Sequence, residues 1–402
     1  MDDVTTRGRS TPAAAPARPA RGTVLAAATL TIMAAAIIAP SLPQMRAAFA
    51  GTPGADVLVR LTLTVTSLAI AISAPLSGLV ADRLGRRPLL VAGLVLYALT
   101  GTAGFAVGDL YLLLITRALL GVAVGAIMTA ISAMITDWFD GPRRASFLGL
   151  QQAFAGLGGV VFLPLAGLLA AVSWQLPFLI YAAAALIVPF ALLTLREAPR
   201  PERPAAPSGH DGRRTTARVA GVYALALVAT LVFYMAPTQL PFLLAGFGTG
   251  PVVTGAVIAG STLTSAAGAL AFPALRRRLT SATITTVSVA LLGLGWLLTG
   301  TAGTVVQIAA GLLVGGAGVG LAVPNLNLRL TELAPPDRRG RILSGLVTGI
   351  FLGQFLSPLA VQPLVQAYGL AGAFTWTGVA MAAGAALSLI RTIRPQPQGE
   401  NR

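Results

Sequence analysis

Cysteine and lysine are both absent from the 402 residues, and histidine occurs once, at His210. Such a chain offers no disulfide framework, no thiolate metal centre and no thiol nucleophile, and a lone histidine cannot form a ligand pair. No metal and no cofactor is expected. Charge is scarce as well. Only 10% of residues are charged, where a soluble protein carries roughly 25%, and 13 acids face 28 basic residues, all arginine. What is present is apolar: 55% of the residues are hydrophobic and the mean hydropathy is +0.80. Water cannot solvate a surface so poor in charge, so a bilayer is the expected solvent. The 45 glycines and 27 prolines interrupt long apolar runs, where they permit close helix packing and kinks.

A helix crosses the hydrocarbon core in about 20 residues. The apolar runs predict spans at 22–41, 57–80, 88–107, 110–136, 145–171, 175–195, 219–244, 252–275, 281–301, 304–331, 341–366 and 371–391. The tails, 1–21 and 392–402, are polar, the first rich in Ala, Pro and Arg and expected to be disordered. Residues 196–217, rich in Arg and Pro, read as a cytoplasmic linker between a first half, 22–195, and a second half, 218–391.

The net charge of +15 would fit a nucleic-acid binder, but its distribution argues against one. Threaded with the amino terminus inside, 24 of the 28 arginines fall on one side of the membrane. Only Arg46 and Arg60 fall outside, and Arg117 and Arg329 lie in or near helices. The positive-inside rule then places both termini in the cytoplasm. Arg21 followed by an apolar run also fits a secretory leader. Its removal would leave eleven spans and put the arginine-rich loops outside, which counts against that reading.

The halves repeat weakly at an offset of 190–196 residues. Gly78, Arg86 and Arg87 match Gly268, Arg276 and Arg277; the segment Pro142-Arg143-Arg144 echoes Asp337-Arg338-Arg339; Phe178 matches Phe374. Their common order points to duplication and divergence, which places a transport path between the halves.

The second-to-third loop reads Gly78-Leu79-Val80-Ala81-Asp82-Arg83-Leu84-Gly85-Arg86-Arg87. Gly78 allows close helix contact, Gly85 can take a positive φ in a tight reversal, and Asp82 can accept from a helix amino terminus or from arginines. This stretch resembles the signature loop of the major facilitator superfamily. The resemblance implies an all-α integral membrane fold of twelve helices in two pseudo-symmetric six-helix bundles. It also implies that Gly78, Asp82, Arg83, Gly85, Arg86 and Arg87 form a cytoplasmic latch between helices two and eleven. Helix four, Arg117 to Gly125, is similar to a second family motif, with Gly121 and Gly125 making a smooth packing face. Arg117 sits about 10 Å deep at 1.5 Å per residue. It fits proton coupling, recognition of an anion, or an arginine that snorkels outward toward Asp109. On helix five, Gly156, Gly158, Gly159, Pro164 and Gly167 partly resemble the family's antiporter motif, although Leu163 replaces the glycine before the proline; plain helix packing fits them equally.

The stretches 174–178, 323–327 and 351–355 are similar to bacterial drug exporters of the superfamily, which implies a multi-pass protein of the bacterial inner membrane. No Asp or Glu falls deep in any predicted span, so the carboxylate that cation exporters use is missing. The cavity is expected to offer Gln151, Gln152, Phe154, Tyr234, Gln239, Asn325, Asn327, Phe351 and Gln354, a mostly apolar set that suits amphipathic molecules. Two transport readings follow: proton-driven efflux of small neutral or anionic amphiphiles, or a uniporter or importer of an organic anion or metabolite. A polytopic membrane enzyme would need an acidic cluster, a His pair or an activated nucleophile, and none is present. A transport-inactive receptor stays open. The expected partners are a small-molecule substrate, membrane lipid and protons, for a chain that works as a monomer.

Overall fold

The computed structural model describes residues 17–197, 213–334 and 339–393. The tail 1–16, most of the 196–217 linker with His210, the Asp337-Arg338 echo and the tail beyond residue 393 lie outside the described residues. The described residues are helical, without strands.

The first crossing is longer than its apolar run: α1 (Arg18–Ala36) continues through a 3₁₀ turn, Ala39–Ser41, into α2 (Leu42–Ala48). Pro40 and Pro43 stand at the first positions of these two pieces, where a missing N–H costs nothing. α3 (Ala55–Leu84) and α4 (Arg86–Ala103) reverse at Gly85, whose φ of 102° excludes a side chain without strain. α5 (Leu110–Trp138) starts where the Leu112 N–H donates to Asp109 at 2.8 Å, a cap that satisfies an otherwise orphaned donor. α6 (Gly141–Val172), a 3₁₀ stretch (Leu176–Ala182) and α7 (Ala183–Thr194) complete the first group. The second group holds α8 (Arg213–Phe233), α9 (Met235–Gly246), α10 (Pro251–Arg276), α11 (Ser281–Gly300), α12 (Val305–Leu333) and α13 (Arg339–Ile393).

Ten segments of the described chain are long and apolar enough to cross a membrane. The twelve predicted spans differ from these in two places. α4 opens on Arg86-Arg87 and carries three threonines or glycines in its last turns, which lowers its apolar content. The predicted spans 341–366 and 371–391 merge into one segment, Ile342–Leu389, of 48 residues. At 1.5 Å per residue that length is about 72 Å, over twice the ~30 Å core. Gly369, with a φ of 71°, breaks the helix inside it.

α1, α5 and α6 pack on one another, as do α3, α4 and α5, and α7 lies on α1 and α4; α8, α11, α12 and α13 form the second group, joined by α10 through α12. The groups meet chiefly where α6 lies along α10 and α3 along α13, with α9 resting on α2 and α3. The sequence repeat has a physical counterpart. Gly121 of α5 abuts the Thr66 carbonyl of α3, and Gly316 of α12 abuts the Ser261 carbonyl of α10. Both pairs are 195 residues apart. Tyr97 of α4 donates to the Leu30 carbonyl at 3.0 Å, and Trp296 of α11 donates to the Val232 carbonyl at 3.0 Å. Phe178 and Phe374 are fully buried beside Tyr181 and Trp296 respectively.

Candidate functional site

At the arginine-rich end, the α3–α4 turn is tied to the close of its own half. The Glu197 carboxylate accepts from the backbone N–H of Arg86 at 2.7 Å and of Arg87 at 3.0 Å. It therefore sits on the amino terminus of α4, where orphaned donors and the helix dipole favour an anion. A Cβ on Gly85 would lie 2.7 Å from that carboxylate, so the position needs glycine for space as well as for φ. The Arg86 guanidinium pairs with Asp137 at 3.1 Å, near the end of α5. Arg87 donates to the Leu192 carbonyl at 2.6 Å. Asp82 and Arg83 stand exposed on the last turn of α3, and Gly78 has open space where a Cβ would be. The loop thus brings Gly85, Arg86 and Arg87 together with Asp137 of the first half and with Glu197, at the start of the linker that follows it. Neither acid was singled out from sequence. Glu197 lies 110 residues from its partners in the chain, and no local spacing marks it.

Arg117 is 0% exposed and lies inside the first half. Its Nη2 donates to the carbonyls of Thr100 and Gly101, both at 2.8 Å, at the end of α4. The guanidinium stacks over Phe178 at 4.8 Å and Tyr181 at 5.0 Å. Nε and Nη1 have no hydrogen-bond partner. The snorkelling pair with Asp109 is corrected by this geometry: Asp109 caps α5, and the arginine turns inward onto carbonyl groups and rings. The residue 195 positions later is Leu312, fully buried, so the repeated fold does not itself require a cation at this place.

At the arginine-poor end the two halves are closed on each other by groups that sequence left apart. Arg60, placed outside by the charge count, is 4% exposed on the second turn of α3. Its Nε donates to Gln239 Oε1 of α9 at 2.9 Å. Its guanidinium lies 4.2 Å from the Phe242 ring centre, a desolvated cation–π contact, and it also donates to the Asp56 carbonyl. Arg46 pairs with the Asp56 carboxylate. α6 and α10 meet backbone to backbone along the same half of the molecule. A Cβ on Gly167 would lie 2.7 Å from the Pro251 carbonyl, and one on Gly255 2.5 Å from that of Leu163. A Cβ on Gly159 would be 3.2 Å from the Thr262 methyl group. Gly158 abuts the Thr29 carbonyl and Gly125 the Ser73 hydroxyl, whereas Gly156 faces open space. Pro164 lies inside α6 between these contacts.

The cavity set divides. Ser67 of α3 donates to Gln354 Oε1 of α13 at 2.7 Å, and the Tyr234 hydroxyl at the α8–α9 break lies beside Ser67. Phe351, half-buried, is one turn before Gln354. These groups form a cross-half cluster at mid-span. Gln239 belongs to the Arg60 contact. Asn325 is a correction: it is fully buried, accepts from the Ser281 hydroxyl at 2.6 Å and donates to Thr285 at 2.9 Å, so it ties α12 to α11 within one half. Asn327 is exposed and donates to the Val323 carbonyl at 3.0 Å on its own helix. Phe154 packs on the hydrophobic core, and Gln151 and Gln152 are half-buried and exposed on the arginine-rich half of α6. Among the described residues no cluster of acids and histidine could hold a metal.

The family model of the Major Facilitator Superfamily matches residues 24–358 and 222–402. The chain is 28% identical over 384 residues to the tetracycline resistance protein, class C, of Escherichia coli, covering 91% of this chain and 94% of that one. It is 34% identical over 134 residues, 33% of each chain, to multidrug resistance protein 1 of Bacillus subtilis (strain 168). The crystal structure of a D-xylose–proton symporter superposes with a TM-score of 0.76 at 16% identity, over 96% of this chain and 99% of that one, which establishes the shared fold. With signature loop, paired helical groups and full-length match in agreement, the chain belongs to the Major Facilitator Superfamily and is a membrane transporter, not an enzyme.

Proposed function

We propose that this transporter exports small amphipathic molecules, neutral or anionic, from the cytoplasm of a bacterial cell by alternating access driven by the proton gradient. Counting α4 and the two legs of α13 as separate crossings gives twelve, in halves 22–195 and 218–391, with both termini in the cytoplasm. The observation that carries the reading is the one-sided contact between the halves. Arg60, Gln239 and Phe242 close the arginine-poor end across the two halves, and α6 and α10 meet backbone to backbone on that side at Gly167 and Gly255. A path closed at that end is one limb of a rocking cycle in which the arginine-rich end opens. The Ser67, Tyr234 and Gln354 cluster at mid-span is the substrate contact in this proposal. The Asp82–Arg87 loop is the cytoplasmic latch, and Arg117 the coupling group. The names of the two relatives, tetracycline and multidrug resistance proteins, support efflux.

A second reading, downhill transport of an organic anion, is favoured by the buried charges: among the described residues the buried charged side chains are arginines, Arg60 and Arg117, and every acid stands near a helix end. The test is transport in proteoliposomes of a charge-sorted panel of amphipathic dyes, with and without a protonophore. Accumulation against a gradient that collapses with the protonophore is the expected result. Transport unaffected by that collapse removes proton coupling and leaves the second reading.

A further inference from the structure

Beneath the second half, at the arginine-rich end, α8, α11 and α12 border an open cleft of about 440 Å³. It lies away from the cross-half cluster and plays no part in the transport cycle above. One wall is a face of α8 that carries Arg218, Gly221 and the apolar Val222 and Leu225; the other, more polar wall is made by α11 and α12 and carries Ser281 and Arg329. Glu332 also lines it, but that carboxylate faces Arg276 at 3.7 Å. Among the described residues neither Arg218 nor Arg329 forms an ion pair with a carboxylate, so both guanidinium groups at the cavity are left without a charge partner.

The polar wall is held in place from behind. Asn325, fully buried, locks the Ser281 hydroxyl at 2.6 Å and its carbonyl at 2.9 Å, and reaches Thr285 Oγ1 at 2.9 Å. Arg329 Nη1 points to the same Thr285 hydroxyl at 3.4 Å. The arginine is therefore steered by a network that joins its own helix, α12, to α11. Gly221 adds room: a Cβ there would meet nothing within 4 Å.

We propose that this cavity binds a phosphate-bearing amphiphile. The phosphate lies between Arg218 and Arg329, and the apolar chain runs along Val222 and Leu225. A phosphodiester offers bidentate acceptors that suit guanidinium geometry, and basic pockets between helices at the cytoplasmic face are placed to take an anionic headgroup. The same phosphate chemistry can come from a membrane phospholipid or from a soluble phosphate ester, and the experiment separates them.

The test uses the full chain in a neutral detergent and follows the thermal unfolding midpoint. Phosphatidylglycerol, phosphatidylcholine and glycerol 3-phosphate are the probes. Phosphatidylglycerol is expected to raise the midpoint saturably by several degrees and phosphatidylcholine to have little effect. The double variant Arg218→Ala, Arg329→Ala should lose the shift. Gly221→Leu fills the cavity floor while leaving both charges and favouring the helix, so it guards against a simple folding defect; it should weaken phosphatidylglycerol at least tenfold. Equal stabilisation by glycerol 3-phosphate, lost in the double variant, supports the phosphate site and assigns it to a soluble source. No shift with either phosphate, or a shift undiminished in both variants, overturns the proposal.

Discussion

Arg117 shows how a single residue is decided by opposing terms of similar size. An arginine at the centre of a span costs about 2.5–3.5 kcal/mol on insertion scales. Against this stand two hydrogen bonds from a charged donor, about 1.5–3 kcal/mol each, and two ring contacts of about 1–2 kcal/mol. The unpaired Nε and Nη1, at about 1–3 kcal/mol for each unsatisfied donor, take most of that gain away. The balance is near zero, so Arg117→Leu, which copies the Leu312 of the second half, is expected to leave the unfolding midpoint within a few degrees. Transport in proteoliposomes is expected to fall at least tenfold. A variant that transports normally would reduce the residue to a packing element. The sequence showed an arginine at depth but not its surroundings, because Thr100, Phe178 and Tyr181 reach it from other helices.

At the scale of elements, the α3–α4 reversal depends on one glycine and one distant acid. Gly85 has a φ of 102° and the Glu197 carboxylate where its Cβ would be. Gly85→Ala combines left-handed strain, of order 1–3 kcal/mol, with displacement of that carboxylate. Glu197→Gln keeps the shape and removes only the negative charge from the amino terminus of α4. Gly85→Ala is expected to lower the unfolding midpoint by several degrees and to slow transport. Glu197→Gln should slow transport with a smaller loss of stability, and the two effects should not add, since they act on one contact. Additive losses in the double variant would show that the residues act independently. The glycine was legible in the sequence as a turn; the acid was not, because α7 brings it back to the loop from more than 100 residues away.

For the whole molecule, the mutual movement of the halves is open to direct test because the chain has no cysteine. An introduced pair is then the only pair. A Cβ at Gly159 would be 3.2 Å from the Thr262 methyl group across the α6–α10 contact, within the span of a disulfide. Gly159→Cys with Thr262→Cys is expected to cross-link on mild oxidation and to stop transport, with recovery on reduction. Full transport by the cross-linked protein would mean that α6 and α10 do not part. The membrane class, the arginine asymmetry and the signature loop were decided by sequence alone, because hydropathy, charge count and turn chemistry act over a few neighbouring residues and the bilayer imposes them on every span. The pairing of Arg60 with Gln239, the carboxylate on α4, the cage around Arg117 and the withdrawal of Asn325 from the cavity were decided only by the tertiary structure. Each joins residues from separate helices, and which face of an almost wholly apolar helix meets its neighbour is set by the fit of glycines and side chains, for which hydrophobic periodicity carries no signal.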